Sequence, residues 1–166
     1  LDLGTGSGAI AVTLALERPD ACLVATDCSE DALEVARGNA AALGAGRIAF
    51  HAGQWWQALP VGTPPFDLVA SNPPYVAATD PHLSRGDLRH EPRGALAAGD
   101  DGLDALRELT AGAATRLVAG GSLAVEHGFD QGDAVRTMMR SLGYRDVQTL
   151  ADLAHRERVT IGVYRV

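Results

Sequence analysis

Short apolar runs alternate along this chain with longer stretches of helical spacing. Leu1 and Leu3 lead into a glycine-rich turn and then into Ala9-Ile10-Ala11-Val12-Thr13-Leu14-Ala15-Leu16, which predicts a strand, a tight turn and a helix. Pro19-Asp20 ends that helix, and Ala21-Cys22-Leu23-Val24-Ala25-Thr26 has the continuous apolar character of a parallel strand buried on both faces. Ser29 is an N-cap with Glu30 and Asp31 in the first turn. The spacing predicts a helix from Glu30 to Leu43, with Ala32, Leu33, Val35, Ala36, Ala40 and Leu43 as its apolar face and Gly44 as its stop. Ile48-Ala49-Phe50-His51 is a third strand, and after Pro64-Pro65 the run from Phe66 to Ser71 is a fourth. Leu103 to Val118 predicts a helix ended by Gly120-Gly121, and Ser122-Leu123-Ala124-Val125 a fifth strand closing on Glu126. A helix from Gly132 to Leu142 and strands at 146–150 and 159–164 complete the chain. No helix separates the last two strands, which predicts an antiparallel terminal pair. The expected fold is α/β: a seven-stranded, mostly parallel sheet with an antiparallel last strand and helices on both faces.

At 166 residues the chain is long enough for one α/β domain and too short for two of ordinary size. No apolar run approaches the length needed to cross a bilayer, and no signal peptide is visible. Cys22 and Cys28 are too few and too close for a disulfide framework, so a cytoplasmic location is expected. The five histidines lack metal-ligand spacing, and no metal is expected. Net charge is −7, and the 14 basic residues include no lysine, which weighs against a protein that grips nucleic acid through its phosphates. Residues 76–101 are polar and punctuated by Pro81, Gly86, Pro92, Gly94 and Gly99. That is too long for a mere connection and reads as a substrate-facing flap. Within it Arg89, His90, Glu91 and Arg93 either contact a target or form a solvated loop surface.

The turn after the first strand is Gly4-Thr5-Gly6-Ser7-Gly8, preceded by Asp2. Glycine lets the backbone take positive φ and lets a ligand approach the main chain closely, and amides at the helix start suit a carboxylate or phosphate. A dinucleotide fingerprint would be G-x-G-x-x-G; the alternate spacing here resembles instead the first motif of S-adenosylmethionine-dependent methyltransferases. A glycine turn that simply joins a strand to a helix has the same composition. Asp27 lies nineteen residues after Gly8, at the end of the second strand, where a carboxylate can accept both hydroxyl hydrogens of a ribose. Its alternative role is a helix cap, which Ser29 already supplies. Trp55, at the mouth of the third strand, can lie against an adenine ring, with Trp56 packed into the core and Cys28 part of the apolar wall.

The fourth strand runs into Asn72-Pro73-Pro74-Tyr75. Each proline fixes its own φ and keeps its predecessor out of the helical region, so the loop is stiff and lacks backbone donors at 73 and 74. What it offers is two acceptors, the Asn72 side-chain oxygen and the Pro73 carbonyl, beside the aromatic face of Tyr75. That set suits a planar NH2 group: two acceptors gripping its hydrogens orient the nitrogen lone pair, and the ring holds the plane. Methyl transfer to such a nitrogen needs positioning and stabilisation of positive charge rather than a strong base. Asn-Pro-Pro is also ordinary turn chemistry.

Asp2-Leu3-Gly4-Thr5-Gly6-Ser7-Gly8, Asn72-Pro73-Pro74-Tyr75, His90-Glu91-Pro92-Arg93-Gly94-Ala95-Leu96 and Glu126-His127-Gly128 with Asp130-Gln131-Gly132 together resemble, in this order, the glutamine amide methyltransferases of peptide-chain release factors. The resemblance covers essentially the whole chain. It implies a Rossmann-like class I methyltransferase that methylates the glutamine amide in the Gly-Gly-Gln loop of a release factor. It further implies that Gly4, Thr5, Gly6, Ser7, Gly8 and Asp27 hold S-adenosylmethionine, with Asn72 also reaching the cofactor. Trp55 would flank the adenine, and Asn72, Pro73, Pro74 and Tyr75 would receive the glutamine. The family usually carries an acid before the tryptophan, where this chain has Gln54; its amide oxygen can still accept the adenine amino hydrogen. Residues 1–166 are expected to be the catalytic domain, with the family's N-terminal helical recognition domain outside the sequence. Glu126 either shapes the pocket or caps the following loop. Competing readings are methylation of an exocyclic amine of adenine or cytosine, a nicotinamide-dependent dehydrogenase, and a binding module with a vestigial pocket.

Overall fold

The computed structural model describes residues 1–77 and 98–165. In chain order the elements are β1 (Asp2–Leu3), α1 (Ala9–Glu17), β2 (Leu23–Asp27), α2 (Glu30–Leu43), β3 (Ile48–Ala52), a 3-10 turn (Trp55–Ala58) and β4 (Phe66–Ser71). Then come α3 (Asp104–Ala113), β5 (Leu117–Glu126), α4 (Gly132–Ser141), β6 (Tyr144–Ala151) and β7 (Glu157–Tyr164). The seven strands form one sheet in the order β3-β2-β1-β4-β5-β7-β6. Pairings from β3 to β5 are parallel, while β7 is antiparallel to both β5 and β6. This is the expected architecture, including the antiparallel last strand.

Strand alternation distributes the core over two faces. Leu1, Leu3, Val69, Leu123 and Val125 share one face and pack with Leu106 and Leu109 of α3 and Val135 and Met139 of α4. Ala25 lies on the other face, in a smaller cluster with Ala11 and Val12 of α1, Ala40 of α2 and Ile48. Small residues dominate that second cluster, which lets α1 and α2 approach the sheet closely. Tyr144, fully buried, donates its hydroxyl to the Thr110 carbonyl at 2.9 Å and satisfies an acceptor in the last turn of α3.

Three sequence expectations change. On α2, Ser29 caps as expected, accepting from the Ala32 amide at 3.2 Å, and Gly44 stops the helix at φ 76. Only Leu33, Ala36 and Ala40 are buried, however, and Val35 and Leu43 are exposed. The buried stripe follows i, i+3, i+7, and the facing cluster is too small to cover a wider face. Second, α3 ends at Ala113 rather than Val118, and Leu117-Val118 already belong to β5. Gly120-Gly121 therefore interrupts a strand instead of stopping a helix. The register jumps there, from Phe66 opposite Leu117 to Leu68 opposite Ser122. A Cβ on Gly121 would stand 2.9 Å from the Phe66 carbonyl oxygen, so only glycine fits this bulge as it stands. Third, β6 and β7 each begin two residues earlier than expected, because cross-strand pairing extends the ladder past the apolar pattern.

Candidate active site

Because β1 to β5 are mutually parallel, their C-terminal ends lie along one edge of the sheet. That edge carries the Gly4–Gly8 turn, Asp27, the Gly53–Trp56 segment, Asn72–Tyr75 and Glu126. The winding reverses between β1 and β4, which makes this the switch point at which ligands bind in open α/β sheets. Leu3 pairs with Ser71, and the Ser71 hydroxyl donates to the Leu3 carbonyl at 2.7 Å. The glycine turn and the Asn-Pro-Pro-Tyr loop thus start side by side.

Gly4, Gly6 and Gly8 all take positive φ, at 70°, 56° and 85°. Most of the amides of this turn are consumed within the protein. Gly4 and Thr5 both donate to the Thr26 carbonyl at 2.9 Å, Gly8 donates to the Thr5 carbonyl, and Gly6 donates to Asp27 Oδ2 at 2.8 Å. The reason is that buried backbone donors of a tight turn must find acceptors. Among the described residues, the amides of Ser7, Ala9 and Ile10 are left without an intrachain acceptor.

Asp2 is buried at 2% exposure. Its Oδ2 accepts the Thr5 hydroxyl at 2.6 Å and the Ala11 amide at 3.1 Å, so a side chain from β1 holds both the turn and the start of α1. Asp2 Oδ1 is buried without any hydrogen-bond partner. Burial pushes the Asp2 carboxyl above the usual range, and the Thr5 and Ala11 bonds pull the other way. Asp27 also does more than the sequence implies: Oδ2 takes the Gly6 amide and Oδ1 takes the Ser29 amide at 2.9 Å. It therefore ties β2 to the glycine turn and braces the start of α2, while each oxygen keeps a second acceptor position.

The Trp55 ring packs over Gly4, where an added Cβ would lie 3.0 Å from Cζ3, and the residue holds an unusual φ of 44°. Trp56 donates its indole N–H to the Glu108 carbonyl at 3.2 Å against α3, and both tryptophans pack against the larger core cluster. Gln54 and Cys28 are both exposed. Cys28 belongs to neither apolar core cluster.

In the second loop Asn72 is exposed, Pro73 buried, and Pro74 and Tyr75 half-buried. The Tyr75 hydroxyl donates to Glu126 Oε1 at 3.3 Å, which ties the end of β5 to this loop. Gln131, to which the sequence assigned no role, donates its amide to the Tyr75 carbonyl at 3.0 Å. No local periodicity signals that contact, because its partners are far apart in the chain. Ala98 donates to the Val76 carbonyl at 3.0 Å beside this loop. The His90–Leu96 motif, the Arg89–Arg93 residues and most of the expected flap lie outside the described residues.

The edge therefore brings together an orphaned buried carboxylate oxygen, three unpartnered amides, a second acid and an aromatic ring. It also leaves room above Gly6, where an added Cβ would meet nothing within 4 Å. Such a set fits a ligand with a cationic amine, a carboxylate, a diol and a flat heterocycle. A family model for a methyltransferase domain matches residues 1–118. The chain is 56% identical over 161 residues to the release factor glutamine methyltransferase of Xylella fastidiosa, covering 97% of this chain and 58% of that protein. It is 44% identical over 164 residues to the protein of the same name in Escherichia coli, covering 99% of this chain and 58% of that one. The chain thus spans less than two thirds of the length of these relatives. Among solved structures, a methyltransferase from Pyrococcus furiosus superposes with a TM-score of 0.74 at 18% identity, over 99% of this chain and 74% of the other, a likeness of fold.

Proposed function

We propose that this chain, which belongs to the methyltransferase domain family, is the catalytic part of an enzyme that methylates the side-chain amide of the glutamine in the Gly-Gly-Gln loop of peptide-chain release factors. The observation that carries this reading is the adjacency of the two loops at the switch point, with Leu3 and Ser71 paired and hydrogen-bonded. S-adenosylmethionine, when bound, supplies an electrophilic methyl group on a sulfonium. The chain's residues fit it. Asp2 Oδ1 would receive the ammonium, the Ser7, Ala9 and Ile10 amides would hold the carboxylate, and Asp27 would accept the ribose hydroxyls with its remaining lone pairs. Trp55 would hold the adenine and Gln54 would accept its amino hydrogen.

On the acceptor side, the Asn72 side-chain oxygen and the Pro73 carbonyl hold the two hydrogens of the glutamine amide, while the Tyr75 face sets its plane. Fixing both hydrogens directs the nitrogen lone pair along one line, and the same two oxygens stabilise the positive charge that develops on nitrogen. Asn72 is exposed, so an incoming side chain can reach it. The two free, exposed cysteines support a reducing compartment, the cytoplasm, where release factors act. Among the described residues no helix is long and apolar enough to cross a membrane.

The test is mass spectrometry of a release factor incubated with the full-length protein and labelled cofactor, with duplex DNA as a parallel acceptor. One added methyl on the loop glutamine is expected, and Asn72→Ala lowers the rate by about 100-fold or more. Label in DNA, or an unmodified glutamine, refutes the assignment.

A further inference from the structure

We infer that Gln131 is a positioning residue for the transfer: its carboxamide fixes the Tyr75 backbone, and with it the ring that orients the acceptor amide. This inference rests on the reading of Asn72–Tyr75 as the amide-binding loop. Prolines 73 and 74 have no N–H, so this part of the loop cannot anchor itself by donating backbone hydrogen bonds. Its carbonyls remain as acceptors, and that of Tyr75 is taken by Gln131. Gln131 Nε2 donates to it at 3.0 Å, across 56 residues of sequence.

The other end of the same carboxamide is also engaged. Gln131 Oε1 accepts the Gly128 amide at 2.8 Å, and the Gln131 amide donates to the Gly128 carbonyl at 2.9 Å. With Oε1 committed to a donor, Nε2 faces carbonyl oxygens, Tyr75 at 3.0 Å and then Gly102 at 3.4 Å and Asp101 at 3.5 Å, so the amide orientation is determined by its partners. A third segment closes on the same point. Gly102, at φ +73, lies so near the Tyr75 carbonyl oxygen that an added Cβ would collide with it, and that Cβ would stand 2.9 Å from Gln131 Nε2.

The Tyr75 side chain is held from the same connection, since its hydroxyl donates to Glu126 at 3.3 Å. Glu126 and Gln131 flank a rigid base. His127 is fully buried, with Nδ1 against the Gly128 carbonyl and Nε2 against the Thr160 hydroxyl, both at 2.8 Å. Thr160 continues to Thr149 at 2.8 Å, which receives Arg136 at 2.6 Å. Because the Gly128 carbonyl can only accept, a ring hydrogen lies on Nδ1, and Arg136 donates into the other end of the hydroxyl chain at Thr149. The segment Glu126–Gln131 thus grips Tyr75 at its hydroxyl and its carbonyl from a base that is itself fixed to β6 and β7.

Gln131→Glu in the full-length protein keeps the acceptor for Gly128 and replaces the donor by an oxygen facing an oxygen. The expected result is a fall in kcat of about 10- to 100-fold, the scale of a small misplacement of reacting groups. S-adenosylhomocysteine affinity should stay within about twofold, and Tm within about 3 °C. Gln131→Asn, too short to touch both partners, carries the same expectation if the first variant is poorly soluble. Retention of kcat within about threefold, a loss of cofactor affinity in step with kcat, or failure of both variants to fold would each overturn the positioning role. A wild-type protein that binds S-adenosylhomocysteine yet leaves the release factor unmodified instead refutes the functional reading on which the inference stands.

Discussion

Alanine at Gly6 and at Gly8 separates what the glycine turn does for folding from what it does for the cofactor. Both residues hold left-handed φ, at 56° and 85°, where an L side chain costs roughly 1–2 kcal/mol. The stiffer unfolded chain of an alanine variant returns about 0.4–1 kcal/mol of that. At Gly6 nothing else is added, because a Cβ there meets no atom within 4 Å, so the net loss is about 1 kcal/mol. At Gly8 the Cβ would lie 3.1 Å from the Ala36 Cβ and 3.3 Å from both the Ala36 Cα and Val12 Cγ2. Two of those contacts involve a helix that cannot yield without shifting, which adds about 1–3 kcal/mol and brings the total to about 2–4 kcal/mol. For a chain of this size each kcal/mol lowers Tm by about 2–4 °C, giving about 3 °C for Gly6→Ala and roughly 4–16 °C for Gly8→Ala. Calorimetric titration with S-adenosylhomocysteine should show the opposite order of effect: Gly6→Ala weakens binding at least tenfold beyond its stability loss, since its methyl fills the space a ligand needs. Wild-type binding by Gly6→Ala, or a Gly8→Ala variant more stable than Gly6→Ala, would contradict these roles.

Two further substitutions test the energetics of the surroundings. Asp2 has its carboxyl raised above 3.8 by burial, so the folded state holds that proton more tightly than the unfolded chain. Its contribution to stability is greatest below the unfolded value and is lost as pH rises through the raised one; the ligand-free wild type should therefore lose stability relative to Asp2→Asn as pH rises above about 4 in thermal melts. A stability difference that does not move with pH would contradict this. Gly112→Ala sits in the last turns of α3, where alanine ordinarily gains up to about 1 kcal/mol. Here the methyl would fall inside the Trp56 indole and break its bond to the Glu108 carbonyl, so overpacking of about 1–3 kcal/mol decides the sign. A lower Tm with shifted tryptophan emission is expected, and a more stable variant would show that the ring moves freely.

Local chemistry made much of this protein readable from its residues alone. Gly4, Gly6 and Gly8 announce a turn that only glycine can make, and the apolar run through Leu23–Thr26 announces a strand covered on both faces. The absence of a helix between the last two strands sets their antiparallel pairing. These signals have ranges of a few residues, and one sequence contains them in full. What the tertiary structure decided concerns partners far apart in the chain. The Gly6 amide is taken by Asp27, 21 residues away, so the acid expected to wait for a ribose also holds the turn. The Gly120-Gly121 pair reads as a helix stop until Phe66 of the neighbouring strand approaches it. Val35 and Leu43 fit a helical face but have no facing cluster to bury them. Tyr75 reads as one aromatic in a stiff loop, and only the folded chain brings Glu126 and Gln131 to its two ends. The periodicity of side chains is set by bonds along the backbone. Which donor meets which acceptor is set by how layers pack, and that information exists only once the sheet has closed.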